Sequence, residues 1–281
     1  MEGGESHALA AAQLRELDPD RYLSSLVIPA EKRADVQALF AFAAEVATVR
    51  ERVSEPTPGE IRLQWWVDAL EGEGHGDVVR NPVADALLKT IKRCALPVGP
   101  LVRLLAARRF DLYNDPMPDA GQFEGYAGET VSVLFQYAAM ILSGDEATSA
   151  AEAAGHLGVA VALAGHLRAF GYNAARGQLF LPLSVFTANG VREADIYAGT
   201  DSPELRNAIT QFRELAHHHA QKVRSAMGVA PKASRPAFAS LALVEDDLAR
   251  LARHEAPFVP MAAPVPFLRL TRLMWWALRN G

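Results

Sequence analysis

Ala41-Phe42-Ala43-Ala44-Glu45-Val46-Ala47-Thr48-Val49-Arg50-Glu51, read with the later stretch His166-Leu167-Arg168-Ala169-Phe170-Gly171-Tyr172-Asn173, decides what kind of fold this chain adopts. Around the first stretch, from Glu31 to about Val53, apolar residues recur at helical spacing through Val36, Leu39, Phe40, Ala43, Val46 and Ala47, which predicts a half-buried helix. Half of the 281 residues are hydrophobic, chiefly Ala and Leu, and runs of β-branched residues are few. That composition predicts an all-α helical bundle in a single domain over residues 1–281.

Working outward, Asp18-Pro19-Asp20 has the chemistry of a helix start, because Asp18 can accept from free amides and Pro19 suits the first turn. It opens Arg21-Tyr22-Leu23-Ser24-Ser25-Leu26-Val27-Ile28, stopped by Pro29; residues 1–17 before it are expected to be a flexible lead. After Pro56-Thr57-Pro58-Gly59 another helix runs through Ile61 to Leu70, with Gly72, Gly74 and Gly76 ending it. Further helices are expected over Pro82 to Cys94, Val98 to Tyr113, Gln122 to Leu142, Ala147 to Tyr172, Pro203 to Met227 and Phe238 to His254. The prolines of 255–266 mark an extended connector, and a closing amphipathic helix follows over 267–280.

The net charge of −5 carries no basic excess for a phosphate backbone, so no nucleic acid is expected as a partner, although basic residues can still cluster locally. A single cysteine, Cys94, rules out an internal disulfide and a Cys-based zinc site, and reads as a small hydrophobe. No segment approaches the ~20 apolar residues that span a bilayer. The start Met1-Glu2-Gly3-Gly4-Glu5-Ser6-His7 has neither a signal nor a transit-peptide pattern, so the expected location is cytoplasmic, with membrane contact at most peripheral. Gly-rich phosphate loops and H-E-x-x-H are lacking.

The stretch Phe40 to Glu51, then Tyr126-Ala127-Gly128-Glu129-Thr130, then Leu167-Arg168 followed by Arg176-Gly177-Gln178-Leu179-Phe180-Leu181-Pro182, resembles the squalene and phytoene synthase family in order and spacing. The resemblance extends from Arg21-Tyr22-Leu23 and Pro29 with Arg33 to the last helix. It implies the class I isoprenoid (terpenoid) synthase bundle, in which two aspartate-bearing helix faces hold Mg²⁺ against a substrate diphosphate. Here the acidic positions of the first motif fall on Ala47, Thr48 and Glu51, and those of the second on Ala169 and Asn173. One carboxylate is too few oxygen ligands for diphosphate-bridged magnesium.

Tyr126 to Thr130, Leu167-Arg168-Ala169 with Tyr172, Phe180-Leu181-Pro182, and Val53-Ser54-Glu55 with Arg62-Leu63-Gln64-Trp65-Trp66 resemble the non-catalytic branch that includes the mitochondrial respiratory complex I assembly factor of this fold. The resemblance therefore implies a scaffold or assembly factor for complex I, with complex I subunits or assembly intermediates as partners and no catalytic residue, metal or cofactor. Two alternatives remain. One is a prenyltransferase joining prenyl diphosphates head to head, with Mg²⁺ held by Glu51, Glu129 or Asp111. The other is a module binding isoprenoid or lipid.

Arg50, Arg168, Tyr126 and Arg33 are the candidate anion-binding residues, since guanidinium matches phosphate oxygens bidentately. The competing reading gives the arginines local acidic partners or solvent. His217-His218-His219 cannot close on one ion, because consecutive helical residues point about 100° apart, and they read as a solvated stretch. His166 reads as a satisfied core residue and Trp65-Trp66 as packing. On the last helix Arg269, Arg272, Trp275, Trp276 and Arg279 are candidate membrane contacts, against a bland reading of bundle closure.

Overall fold

The computed structural model describes residues 4–74 and 77–280. Gly76 and the opening Met1-Glu2-Gly3 lie outside the described residues. Every regular element among the described residues is helical. The first nine helices are α1 (Glu5–Leu17), α2 (Pro19–Ser25), α3 (Ala30–Ala47), α4 (Pro56–Glu71), α5 (Pro82–Cys94), α6 (Gly99–Arg108), α7 (Ala120–Ala127), α8 (Val133–Ser143) and α9 (Ala151–Arg168). Three short ones, α10 (Phe170–Ala174), α11 (Leu183–Ala188) and α12 (Glu193–Tyr197), lead to the long α13 (Pro203–Ala226), α14 (Ser240–Leu251) and α15 (Pro266–Asn280).

Local chemistry sets the ends. The Asp18 carboxylate accepts from the Arg21 amide and opens α2 with Pro19 in its first turn. Gly72 closes α4 in the left-handed conformation that glycine adopts without steric cost. The helix expected up to Val53 stops instead at Ala47: Thr48 turns its hydroxyl onto the Glu45 carbonyl, and Arg50–Arg52 tighten into a 3-10 turn. The helix expected from Ala147 to Tyr172 breaks at Ala169, between α9 and α10.

Residues 5–17, expected as a flexible lead, are α1. Ser6, Ala10 and Leu14 recur on one face at helical spacing and are fully buried, with α1 packed on α3 and α5. His7 meets the Thr90 hydroxyl at 3.3 Å and Asp35 at 3.7 Å, which ties the same face down.

α9 is the central helix. Ala153, Ala154, Leu157, Ala160, Leu163, Ala164 and Leu167 are buried around its circumference, as expected for a helix packed on all sides. Its small residues let neighbours come close: a Cβ at Gly158 would lie 2.4 Å from Ser132 Cα, in the π turn Gly128–Ser132 that joins α7 to α8. Phe40 on α3 meets Phe135 on α8 edge-on with ring centres 6.3 Å apart, Phe42 and Phe123 are buried as fully, and each buried ring of this size contributes roughly 1.5–3 kcal/mol. Trp66 packs edge-on against Phe42 as part of that core. No described helix is long and apolar enough to cross a membrane.

Candidate functional site

Where α9 ends, its last turn faces a cavity of about 760 Å³. The floor is apolar, with Phe135, Val161, Ala164 and Val244, and Gly165 leaves open space where a side chain would stand. α2 supplies Asp18, Asp20 and Arg21 to the wall, α14 supplies Asp247 and Arg250, and the connector covers one side with Pro260 to Pro264. Cationic Arg168 sits in the C-terminal turn of α9, where the helix dipole favours positive charge.

The charges here are paired. Arg168 Nη1 donates to Asp20 at 2.9 Å and to Asp247 at 2.8 Å. Burial alone would disfavour charged Arg168, but Asp247 and Asp20 outweigh it and raise its pKa. Arg269, only 1% exposed, donates to the same Asp247 and to the Leu243 carbonyl, and lies 3.5 Å from Asp20. Two arginines and two carboxylates from α2, α9, α14 and α15 thus close one network over the apolar floor. Arg269 is therefore a buried lock between helices, not the membrane contact expected for it, because Asp247 meets it from α14.

Of the five motif positions implied by the resemblance, four lie outside the lining of this cavity. Ala47 and Thr48 end α3, Glu51 is exposed in the following turn, and Arg50 donates to the Val53 carbonyl at 3.2 Å. Of the pair Arg50 and Arg168, only Arg168 lines the cavity. Ala169 also lines it, while Asn173 stands on the short α10. Arg33 donates twice to the Ile28 carbonyl and holds the turn after α2.

Tyr126 is buried elsewhere: its hydroxyl donates to Asp111 and accepts from Arg108 at 2.9 Å. Burial, opposed by Arg108 and assisted by Asp111, keeps that hydroxyl well above its usual pKa and therefore neutral. Glu129 pairs with Arg103 at 3.3 Å. Glu51, Glu129 and Asp111 therefore have three separate environments. Among the described residues no group of three or more His, Cys, Asp or Glu side chains is placed to hold a metal ion.

His166 stacks on Phe180 with ring centres 4.7 Å apart, and burial next to Arg108 lowers its pKa to about 3. The histidine run divides: His217 and His218 are exposed, whereas His219, expected in solvent, is buried with its Nδ1 3.0 Å from that of His156. The 100° step that separates the three on α13 turns the third one inward. Half-buried Cys94 has its thiol pKa raised by burial.

The squalene/phytoene synthase family model matches residues 14–275. The chain belongs to that family. It is 33% identical over 249 residues to the rat protein named NADH dehydrogenase (ubiquinone) complex I, assembly factor 6, covering 89% of this chain and 74% of the relative. The human protein of that name is 33% identical over 240 residues, covering 85% and 72%. A crystal structure of a dehydrosqualene synthase superposes with a TM-score of 0.83 at 18% identity, over 99% of this chain and 97% of the other, and so shares the fold. The family's helical bundle is thus the architecture of this chain, as the resemblance implied. Asp247 and Arg250 are the site residues that no quoted motif contained, and Asp20 and Arg21 stood in quoted stretches without a site role.

Proposed function

We propose that this protein is a non-catalytic scaffold in the assembly of respiratory complex I, working without magnesium. The observation that carries the reading is the electrostatics at α9: of the three carboxylates lining the cavity, Asp20 and Asp247 are bridged by Arg168 and Arg269, and Asp18 is paired with Arg21. A diphosphate-bridging magnesium needs carboxylate oxygens facing the ligand. Here those oxygens accept from guanidinium, and Ala169 and Asn173 offer no replacement charge. Similarity to relatives named as complex I assembly factors supplies the biological direction.

Deletion of the gene is expected to lower NADH:quinone oxidoreductase activity in membranes and to accumulate incomplete complex I, with rescue by the wild-type chain. Normal complex I in the deletion strain would refute the assembly role. The purified protein is expected to release no diphosphate from farnesyl or geranylgeranyl diphosphate with Mg²⁺, alongside an active family member. Chelator-sensitive turnover would overturn the non-catalytic half of the reading.

The apolar floor below Arg168 favours one second reading, retention of an isoprenoid or lipid chain. Native mass spectrometry of protein purified from its own cells tests it: a bound lipid lost on Gly165→Leu is the expected result, and an empty protein refutes it.

A further inference from the structure

Six of the thirteen large apolar side chains exposed among the described residues lie between Val265 and Leu278. On α15, Phe267, Leu268, Met274, Trp275 and Leu278 fall within a stripe roughly 120° wide at 100° per residue. The other side of the helix is anchored, with Leu273 and Arg269 fully buried. α15 is thus held on the bundle by one face while the opposite face presents apolar side chains without a covering element. A closing helix needs only the first of these faces.

Beside the stripe, α15 forms one wall of a second cleft, completed by the end of α13, the 3-10 turn Lys232–Phe238 and α14. Arg224, Arg235, Arg253, Arg272 and Arg279 line it, and Trp275 belongs both to the cleft and to the apolar stripe. Glu245 and Asp246 are the carboxylates in the wall, paired with Arg224 and Arg272 respectively. Arg253, just past the end of α14, donates back to the Ala249 carbonyl, Arg279 lies over the Trp275 ring, and the Arg235 Nε is buried without a hydrogen-bond partner. The cleft thus has three positive charges in excess within a chain of net charge −5.

We propose that α15 lies in the surface of an anionic phospholipid bilayer, with its apolar stripe inserted and lipid phosphates seated in the arginine cleft. Each component suits that occupant. An amphipathic helix binds an interface through apolar insertion and attraction to anionic headgroups, and tryptophan sits at the boundary between the two. Guanidinium groups take phosphate oxygens bidentately. A second copy is a poorer occupant, because a two-fold contact on this face brings like-charged arginines of both copies together. The inference is independent of the assembly role and needs only the purified chain.

Co-sedimentation with vesicles tests it, using phosphatidylcholine alone or phosphatidylcholine mixed with phosphatidylglycerol. Binding is expected to the mixed vesicles, at least about tenfold weaker to neutral ones, and falling as salt screens the cleft. Arg253→Glu with Arg279→Glu reverses two arginines that hold no carboxylate among the described residues, so the fold keeps its ion pairs. About fivefold or more is expected per reversal. Leu278→Glu, at an 81% exposed position, is expected to abolish insertion while circular dichroism and the melting curve stay unchanged.

Absence of binding to mixed vesicles overturns the proposal. So does equal binding to both vesicle types, or binding unaffected by the arginine reversals. A concentration-dependent dimer that Leu278→Glu dissociates, without vesicle binding, assigns the face to a second copy instead.

Discussion

α14 separates two cavities of similar volume that treat charge in opposite ways. Toward α9 it presents Asp247, which is bridged by Arg168 and Arg269 over an apolar floor. Toward the solvent side of α15 it presents Glu245 and Asp246 to a wall that carries five arginines. In the first cavity the contacts of Arg168 and Arg269 with Asp20 and Asp247 join four elements of the bundle, so charge acts as internal fastening. In the second the arginines outnumber their partners, and the unused valence faces outward. A count of arginines cannot distinguish the two, since each cavity contains several; the distinction lies in how many carboxylates meet them and how deeply.

The sharpest way to break this contrast is Asp247→Ala. It leaves Arg269 charged in a site where it is 1% exposed, and takes one of two carboxylates from Arg168. Removing one partner of a buried pair costs about 3–5 kcal/mol, so urea unfolding is expected to show a loss of that size. A loss below about 1 kcal/mol would mean that the network behaves as a surface array and that the first cavity has no special fastening.

A smaller effect is expected where buried pairing recurs far from both cavities. Asp35 on α3 accepts from Thr90 at 2.8 Å and from Arg93, with His7 close by. Burial alone would raise its pKa, but hydrogen bonds from His7, Arg93 and Thr90 bring it down to about 2 from the ordinary 3.8. Because the folded carboxyl holds its proton less tightly than the unfolded one, its stabilisation is complete above pH ~4 and disappears as pH falls through about 2. Asp35→Asn is expected to cost on the order of 2 kcal/mol at pH 7 and to flatten the acid limb of stability between pH ~4 and ~2. An unchanged acid limb would show that this cluster does not set acid stability.

These contacts mark the limit of what the sequence discloses. Helix order, the Asp18-Pro19 start, the proline connector and the unusual residues at Ala47, Thr48, Ala169 and Asn173 are all local, and local spacing reveals them. Asp247 reads as the end of an acidic run Glu245-Asp246-Asp247, the usual mark of a solvated face. Only packing shows that the 100° step between residues sends Asp247 inward to Arg269, 22 positions later. Arg269 itself was legible as helical but not as buried, since its partner lies on another helix. α1 is not legible in the sequence, because its buried face rests on Ser6, Ala10 and a single Leu14, too weak an apolar signal to stand out.

The smallest stability effect, and the most discriminating comparison, comes from Asp246→Ala, next to Asp247 on the same helix. Asp246 meets Arg272 at 2.9 Å, its own side chain 13% exposed and that of Arg272 54%. A pair whose cation is this exposed contributes about 0–1 kcal/mol, and Arg272 stays solvated without it, so unfolding is expected to shift little. Vesicle affinity is expected to move the other way, rising about fivefold, because the cleft gains one uncompensated arginine. If Asp246→Ala instead destabilised the protein as much as Asp247→Ala, the arginines of the second cleft would be structural like those of the first, and the outward surplus of charge would lose its meaning. Neighbouring aspartates that differ only by one helical step would then have equal roles, which their burial and partners argue against.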